Sequence, residues 1–175
     1  MNITVYCAAT PGDNPHFRDA ARQMGEWIVR EGHTLVYGGS SVGIMGVISG
    51  AVLDGGGQVI GVEPRFFLEA GVAQHNLGEL IVVDTMAERK AKMVELGDAF
   101  VALPGGMGTL EEISEIMSRI RLGFSEAPCF FLNIDGFYDP MRTLLTRMLE
   151  QGFITRREYD AVGFPTSVAE LAEML

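Results

Sequence analysis

Cysteine, lysine and long apolar runs are all scarce in this 175-residue chain. Its two cysteines, Cys7 and Cys129, lie in apolar runs without metal-ligand spacing. We therefore expect buried thiols, no metal site and a reducing, cytoplasmic compartment. No apolar run approaches the roughly 18 residues that a membrane span needs, so no membrane partner is expected. The opening MNITVYC enters a strand-like run without a basic segment, so we expect no signal peptide.

Positive charge is also scarce, because the formal net charge is −10. Such a surface repels nucleic acid, so the expected partner is a small molecule. The chain's two lysines, Lys90 and Lys92, stand beside Arg89 in MAERKAKM. This local cluster is either an anion site or a solvated helix face on which Glu88 and Lys92 pair at i,i+4.

Two common phosphate-binding fingerprints are absent from the sequence. The G-x-G-x-x-G pattern should follow the first strand, where this chain has CAATPGD, and the P-loop needs a Gly-Lys pair, which occurs nowhere. P-loop ATP hydrolysis is therefore excluded. What remains is the general ability of N–H groups at a glycine-rich turn and helix N-terminus to stabilise a phosphate.

Short apolar runs alternate with helix-like segments along the whole chain. Most of the runs are continuously apolar rather than alternating between apolar and polar residues, which predicts parallel strands that are covered on both faces. We predict strands at 3–7, 34–38, 58–62, 80–83, 99–103 and 129–133, and helices at about 15–31, 43–54, 85–96, 109–122, 139–150, 155–161 and 167–174. This alternation predicts a three-layer, doubly wound α/β fold, and the short connections predict one domain over 1–175.

Two glycine-rich loops follow predicted strands: GGSSVGIMG (38–46) follows the second and PGGMGT (104–109) the fifth. Because the carboxyl ends of parallel strands share one edge of the sheet, we expect both loops to form a single cleft.

The stretch TLEE (109–112) has two possible interpretations. It fits a capping box with Thr109 as N-cap and Glu112 bonding back to it. The same pattern begins at Thr85, Thr155 and Ser167, so the motif alone favours a cap. The glycine density of the preceding PGGMG, which a cap does not need, favours a ligand whose phosphate meets the glycines and whose sugar meets the glutamate.

MAERKAKM (86–93) followed by ALPGGMGTLEE (102–112) resembles the Lonely Guy family of cytokinin riboside 5′-monophosphate phosphoribohydrolases, with its M-H-E-R-K and P-G-G-x-G-T-x-x-E motifs. VYGGSSVGIMG, GQVIGVEP and LNIDGFYDP extend the resemblance, in order, over essentially the whole chain. The resemblance implies a homodimeric, Rossmann-like enzyme without metal or organic cofactor. It implies hydrolysis of AMP or a cytokinin riboside 5′-monophosphate to free base and ribose 5-phosphate.

The resemblance also implies residue roles at the matching positions. The catalytic pair becomes Arg89 and Glu112. The implied substrate-binding residues are Gly39, Gly43, Gly46, Lys90, Gly105, Gly106, Met107, Gly108, Thr109, Glu111 and Ser118. Positive charge builds on the sugar during glycoside hydrolysis, which Glu112 would stabilise, while Arg89 would stabilise the departing base or grip the nucleotide.

This chain departs from the family pattern at four places. Cys7-Ala8-Ala9-Thr10 replaces Cys-Gly-Ser-Ser, Ala87 replaces a histidine, and Arg119-Ile120-Arg121 replaces Trp-Ala-Gln. A base-side glutamate has no clean match, with Glu69 and Glu79 as the nearest choices. These departures leave open whether the base is adenine or a prenylated adenine.

Two other functions compete with hydrolysis. The first is a nucleotide-binding or molybdenum-cofactor-binding protein without turnover. The second is a decarboxylase that uses pyridoxal phosphate, because many sequences of this type carry the label lysine decarboxylase. Its Schiff-base lysine would have to be Lys90 or Lys92, and neither stands in the apolar setting that such a lysine needs.

Overall fold

The computed structural model describes residues 1–71 and 77–175, and its strands within these ranges form one parallel sheet. The strands are β1 (Asn2–Tyr6), β2 (Thr34–Tyr37), β3 (Gln58–Pro64), β4 (Glu79–Val83), β5 (Ala99–Ala102), β6 (Cys129–Phe131) and β7 (Val162–Gly163). Their order across the sheet is β4-β3-β2-β1-β5-β6-β7, and each neighbouring pair runs parallel. The predicted doubly wound α/β class is confirmed.

Helices cover both faces of the sheet and bury one apolar cluster on each side. They are α1 (Pro15–Arg30), α2 (Gly43–Asp54), α3 (Arg65–Glu69), α4 (Met86–Leu96), α5 (Met107–Arg121), α6 (Asp139–Glu150), α7 (Arg156–Asp160) and α8 (Val168–Met174). Trp27 and Ile48 belong to the cluster under α1, α2 and α8, whereas Met93 and Ile113 belong to the opposite one. The fold therefore has three layers, as predicted.

Strand β1 explains why the strands read as continuous apolar runs. Ile3 and Val5 face one cluster, while Tyr6 faces the other. Thr4, which shares the second face, is fully buried and donates its hydroxyl to the Met93 carbonyl at 3.2 Å. Since both faces of a central parallel strand are covered, apolar residues occupy both faces, and Thr4 is tolerated because its hydroxyl is paired.

Three elements differ from the prediction. The five-residue helix α3 directly follows Pro64, and the two-residue strand β7 adds an edge next to β6. Neither was predicted, because both are too short to show a period. The third difference is that α5 begins at Met107 and not at Thr109, with Gly106 as its extended N-cap residue.

The strand order positions one ligand crevice. From β1 the chain adds β2, β3 and β4 on one side, and then returns to place β5 on the other side of β1. Ligands of such sheets bind outside the carboxyl ends of the strands where the order reverses. Here the reversal lies between β1 and β5, so the crevice lies between the loops that follow these two strands.

Candidate active site

The second glycine-rich loop leads into the N-terminus of α5. A Cβ atom added to Gly106 or Gly108 would have no neighbouring atom within 4 Å. A Cβ added to Gly105 would instead collide with the Thr109 side chain. Gly105 is therefore needed for packing, while Gly106 and Gly108 leave open space at a helix end that carries partial positive charge.

Arg89 on α4 and Glu112 on α5 form a buried ion pair. Arg89 Nη1 donates to Glu112 Oε1 at 2.6 Å, and both side chains are only 9% exposed. Arg89 Nε also donates to the Val62 carbonyl oxygen at 3.1 Å, so two partners fix the guanidinium. A Cβ at Gly38 would collide with it, which explains one glycine of the first loop. Burial raises the pKa of Glu112 above its usual range, although Arg89 opposes this shift.

The capping-box interpretation of 109–112 is wrong. Because α5 begins at Met107, Thr109 is buried within its first turn and Glu112 bonds to Arg89 rather than to a cap. The other occurrences of the pattern do form caps, in which a hydroxyl accepts from the N–H three residues later: Thr85 from Glu88, Thr155 from Glu158 and Ser167 from Glu170. One short pattern therefore serves both a structural and a candidate functional purpose.

Lys90 lies beside the ion pair and is itself neutralised by acidic side chains of α5. Its Nζ is 2.6 Å from Glu111 Oε1 and 3.7 Å from Glu115 Oε2. The hydrogen bond with Glu111 raises the pKa of Lys90 above its ordinary value. A Schiff-base lysine needs its pKa lowered, so this environment has the opposite effect.

Lys92 does not join this group. Its Nζ pairs with Glu95 at 2.7 Å on the same helix. Glu88 instead accepts from the Asp84 N–H at 2.9 Å, so the structure replaces the Glu88–Lys92 pair considered above with two other contacts. Of the basic cluster, only Arg89 and Lys90 reach the crevice.

All four charged residues predicted for the site line one cavity of about 300 Å³. The predicted residues that line it are Arg89, Lys90, Gly106, Gly108, Thr109, Glu111 and Glu112. This cavity lies at the small end of the range for ligand pockets, which starts at about 300 Å³.

Other predicted residues lie around the cavity rather than on its lining. Gly39 and Gly43 have positive φ angles of 83° and 64°, and a Cβ on Gly43 or Gly46 would collide with the backbone of Ala9 or Ser41. These three glycines shape the first loop. Their binding role stays a prediction.

Met107, the first residue of α5, is 84% exposed, and Ser118 is exposed further along the same helix. The structure does not bring these two predicted binding residues to the cavity lining. Gly105 is also absent from this lining, although it lines a neighbouring cavity with Gly106 and packs on Thr109. The roles of Met107 and Ser118 in binding remain predictions.

The residues that replace family motifs fall into two groups. Ala8, Ala9 and Thr10 line the cavity: Ala9 loses a serine hydroxyl at the site itself, Ala8 adds a methyl group where the family has glycine, and Thr10 keeps a hydroxyl. Arg119 pairs with Glu115 at 3.8 Å and Arg121 with Glu158 at 3.7 Å. These two arginines are engaged with carboxylates on the protein's own helices.

Neither choice for the base-side glutamate lines the cavity. Glu69 is exposed at the end of α3, and Glu79 is exposed at the start of β4. Ala87, which stands in place of the family's histidine, is an exposed residue in the first turn of α4.

Glu63, a buried carboxyl near the end of β3, is not among the predicted site residues. It is 2% exposed, and within the described ranges its Oε2 atom has no hydrogen-bond partner. A Cβ on Gly39 would collide with this oxygen. Burial raises the pKa of Glu63 to about 7, and the nearby charge of Arg89 only partly opposes the shift. The available signal was one acidic residue within the apolar strand QVIGVEP.

We expect Glu63 to make stability depend on pH. Its pKa is about 7 in the folded chain against 4.5 in the reference state. The folded chain therefore retains a proton that the unfolded chain loses, and the free energy of unfolding falls as pH rises from 4.5 to 7, by about 3 kcal/mol. Urea unfolding across this range measures the slope. The Glu63→Gln variant should lack the part of this fall that Glu63 causes. A free energy of unfolding that falls with pH as steeply in the variant as in the wild type would contradict the prediction.

The cavity lies at the crevice of a parallel sheet and presents an open helix N-terminus, which defines the class of Rossmann-like nucleotide-site proteins. A family described as "Possible lysine decarboxylase" matches residues 45–175. Over 173 residues the chain is 39% identical to a cytokinin riboside 5′-monophosphate phosphoribohydrolase of Arabidopsis thaliana, covering 99% of this chain and 81% of that protein. The chain belongs to this Lonely Guy family.

Two further relatives share the enzyme name. The protein from Rhodococcoides fascians is 45% identical over 155 residues, which cover 88% of this chain and 78% of that one. The enzyme LOG from Oryza sativa subsp. japonica is 45% identical over 152 residues, 87% of this chain. The matched segment spans 63% of the length of that rice protein.

Solved structures share the fold at lower sequence identity. The molybdenum cofactor binding protein from Rippkaea orientalis has a TM-score of 0.74 at 24% identity, covering 99% of this chain and 93% of that one. The molybdenum cofactor carrier protein from Chlamydomonas reinhardtii has a TM-score of 0.74 at 21% identity, covering 99% and 94%. At such identity the likeness concerns the fold alone.

Within the described residues, no helix has both the length and the apolar character needed to cross a membrane. The same ranges hold no group of three or more His, Cys, Asp or Glu side chains placed to bind a metal ion.

Proposed function

We propose that this protein is a nucleoside 5′-monophosphate N-glycosidase. It hydrolyses the bond between base and ribose in AMP or a cytokinin riboside 5′-monophosphate, releasing free base and ribose 5-phosphate. The observation that carries this proposal is the buried Arg89–Glu112 pair, which lies one helical turn beyond the open glycine N-terminus of α5. The names of the Arabidopsis, Rhodococcoides and rice relatives support the same chemistry.

The phosphate binds at the N-terminus of α5. Gly106 and Gly108 lack side chains that would block it, and the first N–H groups of the helix donate to its oxygens. Lys90 also lines this cavity, where it is paired with Glu111 until a phosphate competes for its ammonium group. Binding energy at this remote end positions the sugar for the reaction.

Glu112 faces the ribose in this arrangement. It follows Gly108 by four residues, so its backbone lies about 6 Å further along the helix axis. In the reaction the bond between C1′ and the base nitrogen breaks, and its electron pair leaves with the base. A water oxygen then bonds to C1′ and keeps one proton as the new hydroxyl, while the other proton of the water passes to the base. The Glu112 carboxylate stabilises the positive ring and orients this water.

Arg89 acts on the negative charge that develops on the departing base. Its guanidinium is held by the Val62 carbonyl and by Glu112, so its orientation is fixed before the substrate binds. A fixed cation stabilises the electron-rich departing base, or holds the nucleotide, without the cost of reorganisation during the reaction.

Product analysis tests the proposal. The purified protein is incubated with AMP, other nucleoside monophosphates and isopentenyladenosine monophosphate, and the free base and ribose 5-phosphate are quantified by chromatography. The proposal expects both products in equal amounts. Tight binding of a nucleotide without base release would instead support the second candidate, a binding protein without turnover, which the loss of a serine hydroxyl at Ala9 on the cavity lining favours.

Gly108→Ala separates stability from binding at the phosphate site. Alanine is favoured over glycine within a helix by about 1 kcal/mol, and a Cβ at this position meets no protein atom within 4 Å. We expect the variant to be as stable as the wild type or slightly more stable. The same Cβ enters the space proposed for the phosphate, so KM for AMP should rise by at least ten-fold.

Thermal unfolding and steady-state kinetics check both halves of the Gly108→Ala prediction. The control is Gly50→Ala, because Gly50 lies inside α2 with open space around it. Gly56→Ala is unsuitable, because the φ of 75° at Gly56 would strain an alanine. Gly50→Ala should leave KM unchanged. An unchanged KM in Gly108→Ala would place the phosphate elsewhere.

We further propose a cytoplasmic homodimer. The buried free thiols of Cys7 and Cys129 support a reducing compartment. Large apolar side chains near the end of α5 support an association surface, since Leu122 is 63% exposed and Phe124 is 71% exposed. Sedimentation velocity would test the oligomeric state.

A further inference from the structure

One part of the cavity wall is apolar. The glycines, charged side chains and Thr109 described above form the polar part, together with Thr10, which also lines a neighbouring cavity with Gly105 and Gly106. The apolar part comprises side chains from β1, α2, α3 and α4 or the loops beside them: Cys7, Ala8, Ala9, Met45, Phe67 and Met86. Phe67, which is not among the predicted site residues, is 38% exposed at this wall.

The two parts are ordered along the edge of the sheet. The polar loop follows β5, and Phe67 belongs to the helix that directly follows β3. Since β2 and β1 lie between β3 and β5, and neighbouring strands are about 4.8 Å apart, the strands that lead into the two parts are separated by roughly 14 Å. Arg89 connects them, because it contacts Val62 on β3 and Glu112 on α5.

The polar and apolar parts of a nucleoside monophosphate follow the same order. Its phosphate and ribose match the helix N-terminus and Glu112, which leaves the base for the wall at the β3 end. Aromatic rings bind bases by stacking, and this interaction tolerates different bases because every base has a π face.

We infer that Phe67 is the stacking platform for the base, an inference that rests on the proposed function. The enzyme then selects bases by shape rather than by hydrogen bonding. Among the described residues, the apolar wall carries no side-chain amide, carboxylate or hydroxyl. Its one polar atom is the Cys7 thiol, and burial raises the pKa of Cys7, so the thiol stays neutral.

A site of this kind accepts a range of substrates. Strong rejection of a wrong base requires buried polar groups that it would leave unpaired, whereas apolar walls discriminate weakly. The substrate class is therefore purine nucleoside 5′-monophosphates in general, including those with an apolar N6 substituent. Recognition of the phosphate stays strict, so the matching nucleosides are poor substrates.

The test compares Phe67→Ala, Phe67→Trp and the exposed control Phe153→Ala. Base release is measured with AMP, GMP, isopentenyladenosine monophosphate and adenosine, and ribose 5-phosphate is used as a product inhibitor. We expect Phe67→Ala to raise KM for AMP by about ten-fold, on the scale of lost base stacking, with Phe67→Trp near the wild type. The inhibition constant of ribose 5-phosphate should not change, since this product lacks a base.

The wild-type values of kcat/KM for the three nucleotides should lie within about 100-fold of one another. An unchanged KM in Phe67→Ala, or a ratio of kcat/KM between AMP and GMP above 1,000, would overturn this inference. The proposed function would still hold in that case, provided that base is released. If no nucleotide releases base, the proposed function fails instead. Calorimetry then decides the platform role alone: Phe67→Ala must weaken AMP binding and leave ribose 5-phosphate binding unchanged.

Discussion

Glu112→Gln is expected to lower kcat/KM for AMP by at least 10²–10³-fold, equivalent to about 3–4 kcal/mol of transition-state stabilisation. Glutamine keeps the size of the side chain and can still accept from Arg89, which donates to Glu112 Oε1 at 2.6 Å in the wild type. What it loses is the negative charge that stabilises the oxocarbenium-like ribose. Base release followed by chromatography measures the loss.

The pH profile adds a second readout for Glu112. Its carboxylate must be ionised to act, and burial raises its pKa. Wild-type kcat/KM should therefore fall at a pH above 4.5 as the solution is acidified, and Glu112→Gln should lack this limb. The matched control is Glu95→Gln, an exposed carboxyl of α4 that pairs with Lys92, which should retain full activity. Wild-type turnover in Glu112→Gln would refute the catalytic assignment.

Arg89→Met is expected to abolish hydrolysis and also to destabilise the fold by about 3–5 kcal/mol at neutral pH. Both members of the Arg89–Glu112 pair are only 9% exposed, so removing the cation leaves a buried carboxylate without compensation. The Val62 carbonyl loses its side-chain donor as well. Urea unfolding measures the stability, and AMP turnover measures the activity.

The double variant Arg89→Met/Glu112→Gln distinguishes electrostatics from simple loss of packing. With both charges removed, most of the stability should return, while activity should stay absent. Lys92→Met, on the same helix but paired with Glu95, serves as the control and should be close to the wild type in both assays. A double variant as unstable as Arg89→Met would contradict the ion-pair account.

The long elements of the fold were predictable because buried parallel strands and amphipathic helices leave strong patterns. Strand β5, with the sequence AFVA, reads as an uninterrupted apolar run since both of its faces are covered. Helix α3 was not predictable, because RFFLE after a proline is too short to show a helical period. The two residues of β7 become a strand only by pairing with β6, which no local pattern records.

The candidate site was predictable in its residue types but not in its contacts. The glycines and the Arg89 and Glu112 positions followed from the motifs. The start of α5 did not, because a T-x-x-E pattern supports a cap as readily as a buried carboxylate, and only the neighbouring guanidinium decides between them. Glu63 was missed since its burial depends on the packing of β3 against the first glycine loop.

The crystal structure of Glu112→Gln with AMP bound tests the central claim most directly. The account predicts the phosphate against the N–H groups of Gly106–Gly108, the side chain of residue 112 within hydrogen-bond distance of the ribose hydroxyls, and the base against Phe67. A phosphate bound away from the start of α5, with residue 112 contacting Arg89 and no atom of the sugar, would contradict it.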